Sequence, residues 1–194
     1  MTGPIEADHF VTVLDADDTL VRFHDPHGHP YATLPTGDFL AAWRADTIAY
    51  RTTPYTMRSE FQRVRKVTAE AALRTALPGA VAWLRGRDEL AVPPGTMGGA
   101  AGVARLADMV TGGLDPQVRD HLIHFAIRVG ARRLTDAATS FAALGYHRAA
   151  AVATRQARLV GSLQYDLVAG HTTSAAETLR QLAPTYEELA TALS

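Results

Sequence analysis

The chain has no cysteine and no asparagine, and Lys66 is its only lysine in 194 residues. Without cysteine there is no disulfide, no thiolate nucleophile and no thiolate-bound zinc. The scarcity of lysine and asparagine, codons of AT-rich genes, points to a GC-rich genome and suggests an actinomycete source. It also means that arginine in place of lysine carries no functional message by itself. A surplus of positive charge is missing too. The net charge is −1, whereas nucleic-acid binding needs a basic surplus or a clear basic face to neutralise phosphates. No apolar run approaches the ~18 residues of a membrane span. The opening stretch, Met1-Thr2-Gly3-Pro4-Ile5-Glu6-Ala7-Asp8, is acidic and lacks the apolar core of a signal peptide. These absences predict a cytoplasmic protein with no membrane and no nucleic-acid partner.

What the chain does have is a hydrophobic share of 47%, enough for one domain of this length to build a core. The pattern predicts a mainly α fold: a helical, bundle-like body over residues 36–194 behind a small β element of two or three short strands over residues 1–35, in one domain. Residues 10–14 are apolar and β-prone, residues 19–24 alternate apolar and polar, and residues 31–34 suit a return strand. Asp25-Pro26-His27-Gly28 has the make-up of a turn. Helical periodicity begins at Gly37. Residues 37–51 align Leu40, Trp43, Thr47 and Tyr50, and residues 56–77 align Met57, Phe61, Val64 and Val67, with Pro78-Gly79 as the stop. A short helix is expected over 80–90, a Pro/Gly-rich loop over 91–102 and a helix over 103–111. Asp115-Pro116 opens another, a capping Asp before a first-turn proline, which runs to Gly145. It carries two apolar stripes, Ile123/Ile127/Leu134/Phe141 and Val118/Leu122/Phe125/Val129, so it belongs at the centre of a bundle or against a partner. A further helix covers 147–168. The patterns from Ser174 to Glu177 and from Thr185 to Glu188 match capping boxes that would open two closing helices.

One motif is specific enough to carry chemistry. Phe10-Val11-Thr12-Val13-Leu14-Asp15-Ala16-Asp17-Asp18-Thr19-Leu20-Val21 is an apolar strand running into three aspartates. It resembles the first motif of the haloacid-dehalogenase superfamily, over about a dozen residues. The resemblance implies Asp15 as carboxylate nucleophile, Asp17 as acid/base and the Asp17 carbonyl as a Mg²⁺ ligand. The later motifs of that family are not found. Ala149-Ala150-Ala151-Val152-Ala153-Thr154 imitates the second but reads as helix, and Lys66 precedes it where the pattern needs a lysine after it. The alternative for the aspartates is an Asp-rich turn whose side chains bond local backbone.

Other clusters add options. His24, His27 and His29, with His9 near in sequence, suit a transition metal or simply a polar hairpin. His121 and His124 stand one helical turn apart but lack a third ligand. Arg58, Arg63, Arg65 and Lys66 form one basic cluster, and Arg128, Arg132 and Arg133 another. Guanidinium groups grip phosphate, sulfate or carboxylate. The Gly-rich stretch from Pro94 to Gly102 lacks the Gly-Lys-Ser/Thr of a phosphate loop and reads as a hinge or lid.

The function expected from the sequence is a small-molecule enzyme, of the kind found in actinomycete specialised metabolism. Its substrate carries a phosphate or sulfate. Asp15, Asp17 and Asp18 would act as base or metal ligands, and Arg63, Arg65, Arg128 and Arg132 would clamp the anion. Either no cofactor or Mg²⁺, held at Asp15 and Asp17, is expected. The alternative is a non-catalytic helical binding or partner-subunit protein. In both cases the apolar stripes predict a homodimer or a complex with a second protein chain.

Overall fold

A computed structural model describes residues 9–26, 29–45, 53–85 and 95–194. The chain divides into two compact units, Met1–Val64 and Arg65–Ser194.

The first unit holds three antiparallel strands in the order β1–β2–β3: β1 (Thr12–Ala16), β2 (Leu20–Asp25) and β3 (His29–Pro35). The pairing Val21↔Leu34 and Phe23↔Ala32 fixes the register, and alternation sends Val21 and Phe23 to one face, where both are buried. Helix α1 (Thr36–Arg44) follows β3 directly. Its Phe39 packs on Phe23 with ring centroids 5.6 Å apart, and Trp43 lies 6.1 Å from Phe39. The chain beyond is tied back to α1: Trp43 Nε1 donates to the Thr56 carbonyl at 3.0 Å, and Tyr55 meets Trp43 edge-on. The end of the expected helix over 37–51 lies outside the described residues.

The regular structure described in the second unit is helical. It comprises α2 (Ala69–Leu84), α3 (Gly99–Gly112), α4 (Pro116–His121), a π-helical turn (Leu122–Ala126), α5 (Ile127–Ala143), α6 (His147–Ala169), α7 (Thr172–Leu182) and α8 (Pro184–Leu193). Asp115 caps α4 as its sequence predicts, its carboxylate accepting from Gln117 N at 2.8 Å. One cluster joins Ala107 and Val110 of α3, Ile123 of the π-helical turn, Ile127 of α5, Leu163 and Leu167 of α6, and Ala176, Leu179 and Leu182 of α7. A second sits under Ala149, Val152, Leu189 and Leu193, covered by Leu77, Val81 and Leu84 of α2. Helices α5 and α6 make the most extensive helix pairing. They approach closely at Gly130 and Gly161: a methyl on Gly130 would stand 3.4 Å from Val160, one on Gly161 4.0 Å from Ala131. Among the described residues no helix is long and apolar enough to cross a membrane.

Mainly α with a small N-terminal β element is therefore the architecture, but several boundaries move. The helix expected over 56–77 forms only in its C-terminal part. Residues 56–68 are non-helical, α2 starts at Ala69 with Thr68 Oγ1 accepting from Ala71 N, and the helix runs through Pro78 to Leu84. Pro78 removes one hydrogen bond, and it does so on an exposed side of α2, where water can serve the orphaned carbonyl. Helix α3 begins at Gly99 rather than 103. The two capping boxes are not used. Ser174 lies inside α7 and donates to Asp166 at 2.6 Å. Thr185 is buried inside α8, accepts from Gln156 Nε2 at 3.0 Å and donates to the Leu182 carbonyl. The two-stripe helix buries Ile123, Ile127 and Ala138, while Phe125 of the other stripe stays exposed.

Candidate functional site

The three aspartates end β1 and form the tight turn into β2. Asp17 organises that turn. One carboxylate oxygen accepts from Thr19 N at 2.7 Å, Thr19 Oγ1 at 2.7 Å and Leu20 N at 2.9 Å. The Asp17 N–H donates to the Leu20 carbonyl at 3.0 Å. The Asp17 carbonyl, the atom the dehalogenase resemblance assigns to Mg²⁺, accepts from Thr36 Oγ1 at 2.8 Å, and Thr36 N donates to the Thr19 carbonyl. The turn is thereby pinned to the first residue of α1. The Thr19 hydroxyl, followed by the Thr19 and Leu20 amides, holds the Asp17 carboxyl below its ordinary value of 3.8. Asp15 is 70% exposed and sits 3.6 Å from Arg22 NH1, its cross-strand partner in the register. Asp18 is exposed at the tip.

Arg63 is exposed in the non-helical stretch of the first unit, and Arg65, Arg128 and Arg132 belong to the second unit and are exposed as well. Arg132 lies 4.0 Å from Asp136 one turn along its own helix. Arg128, Arg132 and Arg133 sit on the solvent side of α5. Among the described residues no group of three or more His, Asp or Glu side chains is placed to hold a metal. Among the described residues Asp15 and Asp17 thus have no third ligand of these types beside them. His27 lies outside the described residues. His24 Nδ1 accepts from Tyr31 N at 3.1 Å, and His9 Nε2 meets Asp25 at 3.1 Å, so this end of the hairpin is a local polar network. His121 and His124 are exposed, with the His121 ring 5.3 Å from Phe125.

Sequence reasoning did not find two cavities that the described residues of the second unit form. A groove of about 270 Å³ is lined by Arg74, Leu77, Pro78, Val81, Tyr146 and Leu193. A cavity of about 70 Å³ lies at the α6–α7 corner beside Arg119 and Asp166. There Arg119 donates to the Leu167 carbonyl at 2.7 Å and caps α6. None of the candidate aspartates or arginines lines either cavity.

Comparison with protein-family models matches residues 93–194 to the YobF C-terminal domain, a little over half of the chain. The chain belongs to the YobF C-terminal domain family. The match takes in α3 to α8, and the first unit and α2 lie before it. No curated protein and no solved structure gives a significant match. This family replaces the haloacid-dehalogenase resemblance, which the geometry also opposes. That motif needs a parallel strand that delivers its first Asp to the edge of an α/β sheet, but β1 is the first strand of an antiparallel meander. Thr154 is no strand end either. It lies inside α6 with its hydroxyl donating to the Ala150 carbonyl at 2.8 Å.

Proposed function

We propose that this member of the YobF C-terminal domain family is a non-catalytic partner-subunit protein, in which a helical C-terminal body carries an N-terminal docking unit. The observation behind this reading is how apolar surface is distributed in the first unit. Among its described residues Val21 and Phe23 are the buried hydrophobics, while Phe10, Val13, Tyr31, Met57, Phe61 and Val64 stand exposed. An excess of exposed over buried large apolar side chains is what a docking unit would show. The aspartates fit the same reading: Asp17 is committed to its turn and Asp15 to Arg22.

The competing proposal is the small-molecule enzyme, acting on a phosphate or sulfate substrate with the Asp cluster as base or Mg²⁺ ligand. Assays of the purified full chain on aryl phosphate and aryl sulfate, with and without Mg²⁺, separate the two. No turnover is expected, together with a stoichiometric second protein that copurifies from the cells the gene comes from. Mg²⁺-dependent turnover that Asp15→Asn abolishes would reverse the conclusion.

A further inference from the structure

Helix α2 covers a surface that the family domain supplies. The family match begins at residue 93, after α2 has ended. The second apolar cluster, Ala149, Val152, Leu189 and Leu193, lies wholly within the match, and Leu77, Val81 and Leu84 of α2 pack against it. Their spacing, i, i+4 and i+7, is that of a helix laid on an apolar groove. The cover fits badly. No residue of α2 is fully buried, whereas α6, α7 and α8 each bury four or more. Where α2 meets Leu193 and Tyr146 a groove of about 270 Å³ stays open, although a core contact leaves few voids. Pro78 lines that groove. It deprives the Arg74 carbonyl of its helical donor, and a proline inside a helix weakens that helix roughly a hundredfold. The Thr68 cap and the Glu70–Arg74 pair hold α2 in helical form but do not tie it to the body. Arg85 Nη2 does reach the body, donating to Ser194 Oγ at 2.7 Å. Both groups are exposed, so water replaces that bond at little cost.

We propose that α2 is a displaceable lid, which leaves the Leu189–Leu193 surface while α3 to α8 stay folded and so uncovers an apolar helix-binding face of the family domain. The principal cluster takes no residue from α2, so the body keeps its main core when the lid lifts. Partial opening draws on the most weakly packed element of a fold. Among the described helices α2 is the one that joins an interior proline to a lack of buried residues. The segment that refills the face is α2 itself, whose three apolar side chains already match it. This inference stands apart from the docking role proposed for the first unit.

The chain has no native thiol, so single cysteines in the full chain report the opening. Leu193→Cys puts a thiol beneath α2, and Leu179→Cys puts one in the principal core. Under native conditions a thiol reagent should label position 193 about a hundredfold faster than position 179, as expected of a partial opening. The rate at 193 should depend weakly on urea and the rate at 179 steeply, because the denaturant slope follows the surface exposed. Adding Pro78→Ala should slow labelling at 193 by about tenfold or more, since alanine restores the helix. Leu179→Cys weakens the main core, which speeds labelling at 179 and works against the expected order. Hydrogen exchange of the unsubstituted chain makes the same comparison without a mutation: amides of α2 beyond its first turn should exchange far faster than those in the middle of α6. Equal rates and equal urea slopes at 193 and 179, or equal protection of α2 and α6, would overturn the proposal, because α2 would then leave only with the whole fold. A rate at 193 that Pro78→Ala leaves unchanged would overturn it too, since the end of α8 would be fraying by itself.

Discussion

At Asp17 one carboxylate oxygen does the work of a whole hairpin loop. It accepts three hydrogen bonds, and the same residue's carbonyl holds Thr36 at the start of α1. Those bonds favour the ionised form and lower the carboxyl's pKa, so their contribution is present above the ordinary aspartate range. It is lost as pH falls through the lowered value. Amide exchange at Thr19 and Leu20 should therefore quicken, relative to its intrinsic pH trend, as that point is passed, and Asp17→Asn should weaken the pH dependence. Tyr186 works in the opposite direction. Burial raises its phenol above 10.0, so stability is complete below the ordinary tyrosine range and declines as pH climbs through the raised value. The ultraviolet tyrosinate titration, differenced against Tyr186→Phe, should show one late-titrating group. Gln156 presents a third case. It is fully buried, gives one bond to Thr185 and leaves its Oε1 without a partner. A buried unsatisfied acceptor costs about 1–3 kcal/mol, more than the single bond returns. Thr185 keeps the Leu182 carbonyl. Gln156→Leu is thus expected to be neutral or stabilising by about 1 kcal/mol, read from the urea midpoint.

The elements show where local pattern governs and where it yields. Helix α6 and the Asp115-capped α4 lie where periodicity and capping chemistry put them, because an apolar stripe and a local cap act within the segment. Residues 56–68 carry the same periodicity, yet Met57, Phe61 and Val64 stand exposed and no helix forms there. The reverse holds at α7 and α8, whose sequence caps are overridden by longer-range bonds of Ser174 to Asp166 and of Thr185 to Gln156. The α5–α6 contact supports a further test. A methyl at Gly161 finds ordinary contact distance to Ala131, while one at Gly130 presses on Val160. Gly161→Ala should stabilise by about 0.5–1 kcal/mol through helix propensity. Gly130→Ala should recover less of that gain. Thermal unfolding of the two variants compares them directly.

For the whole molecule, the fold and the family are legible at different depths. Composition alone excluded disulfides and thiolate metal sites, and hydrophobic patterning predicted the mainly α architecture. The YobF C-terminal domain match covers the helices that form the principal core. Helix α2, which precedes the match, covers the second cluster at Leu189 and Leu193. Ile123 and Ile127 of one stripe are spent on the chain's own core, which leaves Phe125 of the other for the assembly expected through the C-terminal helices. Light scattering of the purified full chain should give a mass well above the monomer's 20.8 kDa when its partner is present. A clean monomer with no copurifying chain would sink the partner-subunit reading.

The amino-acid sequence by itself determined the helix-rich class, the N-terminal strands, the Asp115 helix start and the absence of cysteine chemistry, because periodicity, capping and composition act over a few residues. Tertiary structure alone decided where the acidic motif stands. An Asp-x-Asp-x-Thr run ending an apolar strand is the same string whether the strand is parallel at the heart of an α/β sheet or the first arm of a hairpin. Strand pairing, made by residues up to Pro35, puts Asp17 into a turn and leaves Asp15 beside Arg22. Tertiary packing likewise left Phe61 and Val64 uncovered, since a stripe declares that it needs burial but not whether its own chain supplies the surface.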